Sequence, residues 1–231
     1  RSRGLGDVYK RQINGGIDKK WKFTNKASIA RVEEPISSFP AWFFDFDNDG
    51  WLDIWVSGYD NSSGHVAMSY LGVDNQGEKP RLFKNNKDGT FTNVTVKSNM
   101  NYPLLTMGSN YGDLNNDGYL DIYAGTGDPD YRSVQPNRMF LNVEGKYFQD
   151  VTFHGRFGNI QKGHGVSFGD IDNDGDQDIH AVMGGAYEGN VYQNSLYENP
   201  GNWNNPWIGI KLIGTQTNWA ATVSYTHLTL P

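Results

Sequence analysis

The sequence predicts an all-β chain built from a repeated unit of short strands, and three observations carry that expectation. Turn formers are abundant, with 28 glycines and 24 asparagines in 231 residues. Apolar runs are short and rich in β-branched and aromatic residues, which suits strands rather than helices. One Asp-rich segment recurs three times without gaps: Asp45-Phe-Asp-Asn-Asp-Gly-Trp-Leu-Asp53, Asp113-Leu-Asn-Asn-Asp-Gly-Tyr-Leu-Asp121 and Asp170-Ile-Asp-Asn-Asp-Gly-Asp-Gln-Asp178.

Two further signatures keep a fixed register with this loop. The first is Leu82-Phe83-Lys84-Asn85, Met139-Phe140-Leu141-Asn142 and Leu196-Tyr197-Glu198-Asn199. The second is Phe91-Thr-Asn-Val-Thr95 and Phe148-Gln-Asp-Val-Thr152, with Phe23-Thr24-Asn25 as an earlier copy. From Phe23, Phe91 and Phe148 to the next loop the distance is 22 residues every time. One interval varies: Asp45 to Phe83 is 38 residues, against 27 in the other two copies. The first unit therefore carries an 11-residue insertion within residues 59–80, whose polar, turn-rich composition reads as a surface loop.

Within each unit, Ile54-Trp55-Val56, Ile122-Tyr123-Ala124 and Ile179-His180-Ala181 read as strands. Phe83 to Phe91 reads as a hairpin turning at Asn86-Lys87-Asp88-Gly89, with Val143-Glu144-Gly145-Lys146 as its counterpart. A unit of about 57 residues with three or four short strands has the size of a propeller blade. Three units are fewer than the four to eight blades of a closed ring, so an open arc of about three blades is expected. Phe23-Thr24-Asn25 is then the remainder of a preceding blade, completing the pairing of the strands before Asp45.

The ends read as foreign to this pattern. Residues 2–12 and 223–231 look like translated sequencing adapter, because codons for Asp7 to Gln12 can be the frame-shifted reverse complement of codons for Val223 to His227. Residues 1–12 and 223–231 are accordingly set apart from the native stretch, 13–222. The whole chain carries −6, and −9 once the +3 of residues 1–12 is removed. That charge is concentrated in three clusters, the wrong distribution for binding nucleic acid. No apolar run approaches the length of a membrane span, and the absence of cysteine excludes disulfides and thiolate metal sites.

The Asp loops point to calcium. Positions 1, 3, 5 and 9 carry side-chain oxygens: Asp45, Asp47, Asp49 and Asp53; Asp113, Asn115, Asp117 and Asp121; Asp170, Asp172, Asp174 and Asp178. Position 6 is glycine, permitting a sharp turn. Position 7 (Trp51, Tyr119, Asp176) varies, as expected where the backbone carbonyl is the ligand. An oxygen-only shell suits Ca²⁺ and not zinc or copper. Two carboxylates about 4 Å apart repel by roughly 4 kcal/mol at an effective dielectric near 20, so converging carboxylates call for a cation. An EF-hand would need Glu at position 12, where Val56, Ala124 and Ala181 stand. Three Ca²⁺ sites, one per loop, are expected.

Phe168-Gly169 followed by the third loop resembles the FG-GAP (VCBS-type) repeat, the blade of integrin α-subunit propellers. Tyr111-Gly112 matches conservatively, and Phe44 replaces the glycine in the first copy. The resemblance spans residues 13–199. From residue 200 to 222 the register fails, and Trp207-Ile208-Gly209-Ile210-Lys211-Leu212-Ile213-Gly214-Thr215 resembles the opening of the ASPIC/UnbV domain of cartilage-acidic-protein-like secreted proteins, although Trp219 stands where that family carries a basic residue. These resemblances imply a secreted or cell-surface calcium-binding module that binds a protein or glycan. The alternative is a propeller-type polysaccharide lyase or hydrolase with its catalytic residues mostly elsewhere. No catalytic constellation is evident in the sequence: His180 occupies the place of Trp55 and Tyr123, His164 precedes a strand, and His65 and His154 are isolated.

Overall fold

The computed structural model describes residues 23–60, 62–131, 134–185 and 187–201. The expected terminal tails and nearly all of the 200–222 segment lie outside the described residues. Three antiparallel sheets follow one another along the chain. The first is β1 (Ala41–Phe44), β2 (Asp53–Val56), β3 (Arg81–Asn85) and β4 (Phe91–Asn93), in that order. The second is β5 (Thr106–Gly112), β6 (Asp121–Thr126), β7 (Arg138–Val143) and β8 (Tyr147–Asp150). The third is β9 (Gly163–Gly169), β10 (Asp178–Met183) and β11 (Ser195–Tyr197). Sequential antiparallel sheets of this size are propeller blades, and here they form an all-β fragment that does not close.

The strands expected after each loop are β2, β6 and β10, and both expected hairpins form. Each Asp loop closes the hairpin between the first two strands of its sheet. The facing pairs across its mouth are Phe44 with Asp53, Gly112 with Asp121, and Gly169 with Asp178. Strand alternation then sorts side chains between the two faces of each sheet. Trp55 and Leu82 of the first sheet pack onto Ile122, Phe140 and Phe148 of the second. Tyr123 and Met139, on the second sheet's other face, pack onto Ile179 and Ala181 of the third. In the third sheet the matching face is uncovered: His180 is exposed and Leu196 is 56 % exposed. His180 is thus a strand residue in the place of Trp55 and Tyr123, on the open side of the arc.

A turn that sequence patterning did not resolve caps each blade. After Asn93 and Asp150, one helical turn ends on Asn99 and Arg156, at φ 58° and 61°. The same turn follows Asn25 as α1 (Ala27–Ala30), ending on Arg31 at φ 59°. The amides of Val32, Met100 and Phe157 donate to the carbonyls of Ala27, Thr95 and Thr152 at 3.2, 3.0 and 2.8 Å. That six-residue closure around a left-handed residue is the Schellman pattern. Asn25, Asn93 and Asp150 start the turn by accepting the amide two residues on. Thr95 and Thr152 hydroxyls accept the Leu82 and Met139 amides, which accounts for threonine in that signature.

Two expectations are corrected. Phe23-Thr24-Asn25 does not complete the pairing before Asp45, because among the described residues β1 pairs with β2 alone. The segment instead leads into the turn whose Ala30 and Val32 cover Ile54, Phe83 and Phe91. The insertion is more than a surface loop, because it holds a helix, α2 (Ser63–Tyr70). Two turns are too short to impose a clear period on a polar stretch. Val66 is buried, and the Tyr70 hydroxyl accepts a 2.7 Å bond from Arg138, whose guanidinium also pairs with Asp150 and lies over the rings of Tyr70, Tyr102 and Phe140. The helix therefore fastens the first blade's insertion to the second blade.

The second and third blades approach so closely that a Cβ on Gly108 would lie 1.6 Å from the His164 carbonyl oxygen. Backbone must move to admit it. Gly108→Ala is expected to lower stability by about 3 kcal/mol, since overpacking against backbone cannot be relieved by a rotamer change. Urea unfolding of the variant beside the parent chain measures this.

Candidate metal centre

Each loop is held by its own carboxylates before any ion is considered. At position 1, Asp45 accepts the amides of Asp49 and Gly50 at 3.0 and 2.7 Å. Asp113 does the same for Asp117 and Gly118 at 3.1 and 2.9 Å, and Asp170 for Asp174 and Gly175 at 3.2 and 3.1 Å. Position 5 accepts the amide of position 7 in all three copies. Such bonds require a sharp reversal, and the backbone supplies it at position 4, where Asn48, Asn116 and Asn173 have φ of 55°, 53° and 64°. Asparagine tolerates the left-handed region better than most residues.

Position 9 has a different task. Asp53, Asp121 and Asp178 are buried to 0, 0 and 2 % exposure, and each accepts two backbone amides. One comes from position 2 of its own loop: Phe46 at 3.3 Å, Leu114 at 2.8 Å, Ile171 at 3.0 Å. The other comes from the signature asparagine: Asn85 at 2.8 Å, Asn142 at 2.7 Å, Asn199 at 2.8 Å. Burial pushes Asp53 up to about 7 and Asp121 up to about 8, against the pull of those amides, which favour the ionised form.

The asparagines carry the lattice from blade to blade. Asn142 Nδ2 donates to the Phe46 carbonyl at 2.8 Å, and Asn199 Nδ2 to the Leu114 carbonyl at 2.7 Å. In the opposite direction, Asn48 Nδ2 donates to the Gly118 carbonyl at 2.9 Å and Asn116 Nδ2 to the Gly175 carbonyl at 3.2 Å. All three loops consequently sit on one rim, each bonded to the next.

The carboxylates of positions 1, 3 and 5 converge. Asp45, Asp47 and Asp49 bring one oxygen each within 4.8 Å of one another, and so do Asp170, Asp172 and Asp174. In the second loop Asn115 stands at position 3, and its amide donates to Asp117 at 3.0 Å. Position 7 is Trp51 or Tyr119 in the first two loops, whereas in the third Asp176 adds a carboxylate. It is 4 % exposed, and its Oδ1 has no hydrogen-bond partner. Burial, then repulsion from Asp174, raises its pKa to about 6. Position 9 lies beside these groups as part of the frame, with lone pairs beyond its two amide bonds.

Sequence patterning missed two features here. Lys84 Nζ pairs with Asp47 and reaches Asp49 at 2.9 Å, and Lys87 Nζ lies 3.3 Å from Asp49. Burial alone would raise Asp49, yet the two ammonium groups hold it below the usual carboxylate range. A lysine two strands away in sequence gives no spacing signal, although Lys84 was visible as the odd residue of its signature. The other is His65, which is not isolated: its Nδ1 lies 2.7 Å from Asp60 Oδ2, the start of α2 bringing them together. His164 lies within β9, with Nε2 2.5 Å from the Gly184 carbonyl.

The FG-GAP-like repeat matches residues 45–124 and 113–181. The chain belongs to the FG-GAP-like repeat family. Each match runs from position 1 of one Asp loop through the whole of the next loop and into the strand behind it, so the repeat as the family defines it coincides with the register described above. No curated protein matches the chain. Among the described residues, no helix is long and apolar enough to cross a membrane.

The division of labour between positions can be separated by substitution. Asp121→Asn would turn an NH₂ group toward one of two backbone donors, and is expected to cost about 2–3 kcal/mol in calcium-free buffer. The exposed Asp117→Asn is expected to cost less than about 1 kcal/mol in calcium-free buffer. Unfolding of both variants in the presence of a chelator measures the difference.

Proposed function

We propose that this FG-GAP-like arc is a calcium-binding module, with one Ca²⁺ held at each Asp loop and the ions serving structure rather than catalysis. The observation that carries this reading is the convergence of carboxylates at positions 1, 3 and 5 on a rim already tied by backbone amides. The proposed ligand set is Asp45, Asp47, Asp49 and Asp53; Asp113, Asn115, Asp117 and Asp121; and Asp170, Asp172, Asp174 and Asp178. The position-7 residues Trp51, Tyr119 and Asp176 join through their carbonyls. Hard oxygen donors of this kind fit Ca²⁺, and the ion would supply the positive charge that lets the carboxylates approach.

The affinity proposed for these loops is near 10⁻⁴ to 10⁻³ M, the range of extracellular modules, and the proposed working place is outside the cytoplasm. The opposite rim, where β6 and β10 end, is the proposed contact surface for a protein or glycan. Tyr131 and Tyr187 lie beside each other there with tilted rings, centroids 6.1 Å apart, 58 and 54 % exposed. Exposed aromatic planes of this kind supply contact area for such ligands.

Calorimetric titration with calcium tests the reading. Binding in the range of about 10⁻⁴ to 10⁻³ M is expected, and its loss in the triple variant Asp49→Ala, Asp117→Ala, Asp174→Ala. Absence of binding, or binding unchanged in the triple variant, would contradict it.

A further inference from the structure

The three loops are alike in spacing and unlike in charge. Two register positions outside the loop, together with positions 3 and 7 inside it, make the difference. The first is Lys84, Leu141 or Glu198, the third residue of the strand signature. The second is Lys87, Glu144 or Gly201, each with positive φ, of 67°, 51° and 62°. Counted with its loop, the first copy sets two lysines against four aspartates. The second adds Glu144, which pairs with Lys146, to three aspartates, and the third adds one glutamate to five aspartates. Counting those paired lysines, the formal charge runs −2, −3, −6 along the arc.

Geometry gives the first of these numbers a location. The Lys84 ammonium bridges Asp47 and Asp49, which are positions 3 and 5, while Lys87 approaches Asp49 from the next hairpin. Lys84 is one-third exposed, and its ammonium lies 5.7 Å from the centre of the Phe46 ring, so its stem crosses the loop rather than extending into solvent. In the third copy the same neighbourhood is cleared. A Cβ on Gly201 would lie 3.1 Å from Asp176 Oδ2 and 3.2 Å from Asp174 Oδ2, and the unpartnered Asp176 Oδ1 is buried beside them. One end of the arc brings its own cation, whereas the other concentrates carboxylate with none among the described residues.

We propose that Lys84 is a built-in cation of the first loop, its ammonium lying between Asp47 and Asp49 where a divalent ion would bind, so that this loop holds calcium more weakly than the other two. This rests on the reading of the loops as calcium sites. A divalent ion entering the first loop must displace the ammonium or bind beside it, and both oppose binding through like-charge repulsion at a few ångströms. The consequence is an asymmetric arc. The third loop fills first, and the first loop stays closed by its lysine at calcium concentrations that load the others.

The test uses the whole chain and the metal alone. Calcium titration is read by calorimetry, and terbium, a hard oxygen-seeking surrogate, is read by emission sensitised through tryptophan. The part of that emission lost in Trp51→Phe reports the first loop. In the parent chain this loop is expected to fill last. Lys84→Leu, which installs the second copy's side-chain type, is expected to tighten the first loop by about tenfold or more. Lys84→Arg keeps the charge and is expected to leave the loop weak. Leu141→Lys is a reciprocal variant that does not disturb the first blade, and is expected to weaken the second loop by a similar factor. Three loops of equal affinity in the parent, unmoved by Lys84→Leu and Leu141→Lys, would overturn the inference while leaving the calcium reading intact. Failure of every variant and the parent to bind either ion would overturn the calcium reading and this inference with it.

Discussion

A buried aspartate that accepts two backbone amides is the interaction on which the arc depends. Asp53, Asp121 and Asp178 open the second strand of their sheets, and each ties the turn before it to the end of the third strand. Through the signature asparagines the same tie passes into the preceding blade. A carboxyl group offers two oxygens, so it can meet two backbone donors at once where a single carbonyl meets them with one. The cost is a titratable group in a buried place, and burial raises Asp53 and Asp121 accordingly. Hydrophobic packing between sheets, with Trp55 and Tyr123 fully buried at successive interfaces, supplies the compensating stability.

From that constraint the rest of the rim follows. Fixing position 9 fixes the hairpin mouth, and the short span between the mouth and position 1 forces a left-handed reversal at position 4. The reversal turns the carboxylates of positions 1, 3 and 5 inward. A rim built in this way has negative charge on every blade, and it must be neutralised by something. In the first blade Lys84 of β3 and Lys87 of the following hairpin do so, and for the other two loops the proposed neutralising charge is an external cation. The α2 insertion and the tyrosines Tyr131 and Tyr187 lie on the opposite rim.

Much of this was legible in the sequence because it repeats. Gapless recurrence located every Asp loop, the strands behind them and both hairpins, since each depends on local spacing. What escaped depends on partners far apart in sequence or on short elements. The α2 helix has two turns and one buried apolar residue, Val66, so no period stands out. The Schellman turns end on Arg31, Asn99 and Arg156 with no glycine to announce them. The roles of Asn142 and Asn199 as ties between blades are set by residues 85 or more positions away. Lys84 was visible only as an exception to its signature, and its partner carboxylates lie 35 and 37 residues earlier. The sequence spacing placed position 9 with the ligands; its burial and its paired amides, which make it part of the frame, required coordinates.

The central claim is that the Asp rim is a cation-dependent part of the fold. The most direct measurement is equilibrium unfolding of the chain in chelator, in calcium, and in sodium chloride of matched ionic strength. With calcium at about a hundred times the dissociation constant, each filled loop is expected to add about 2.7 kcal/mol, with no comparable gain in sodium chloride. An unfolding midpoint that is the same in chelator and in calcium, or that rises equally in sodium chloride, would contradict the account.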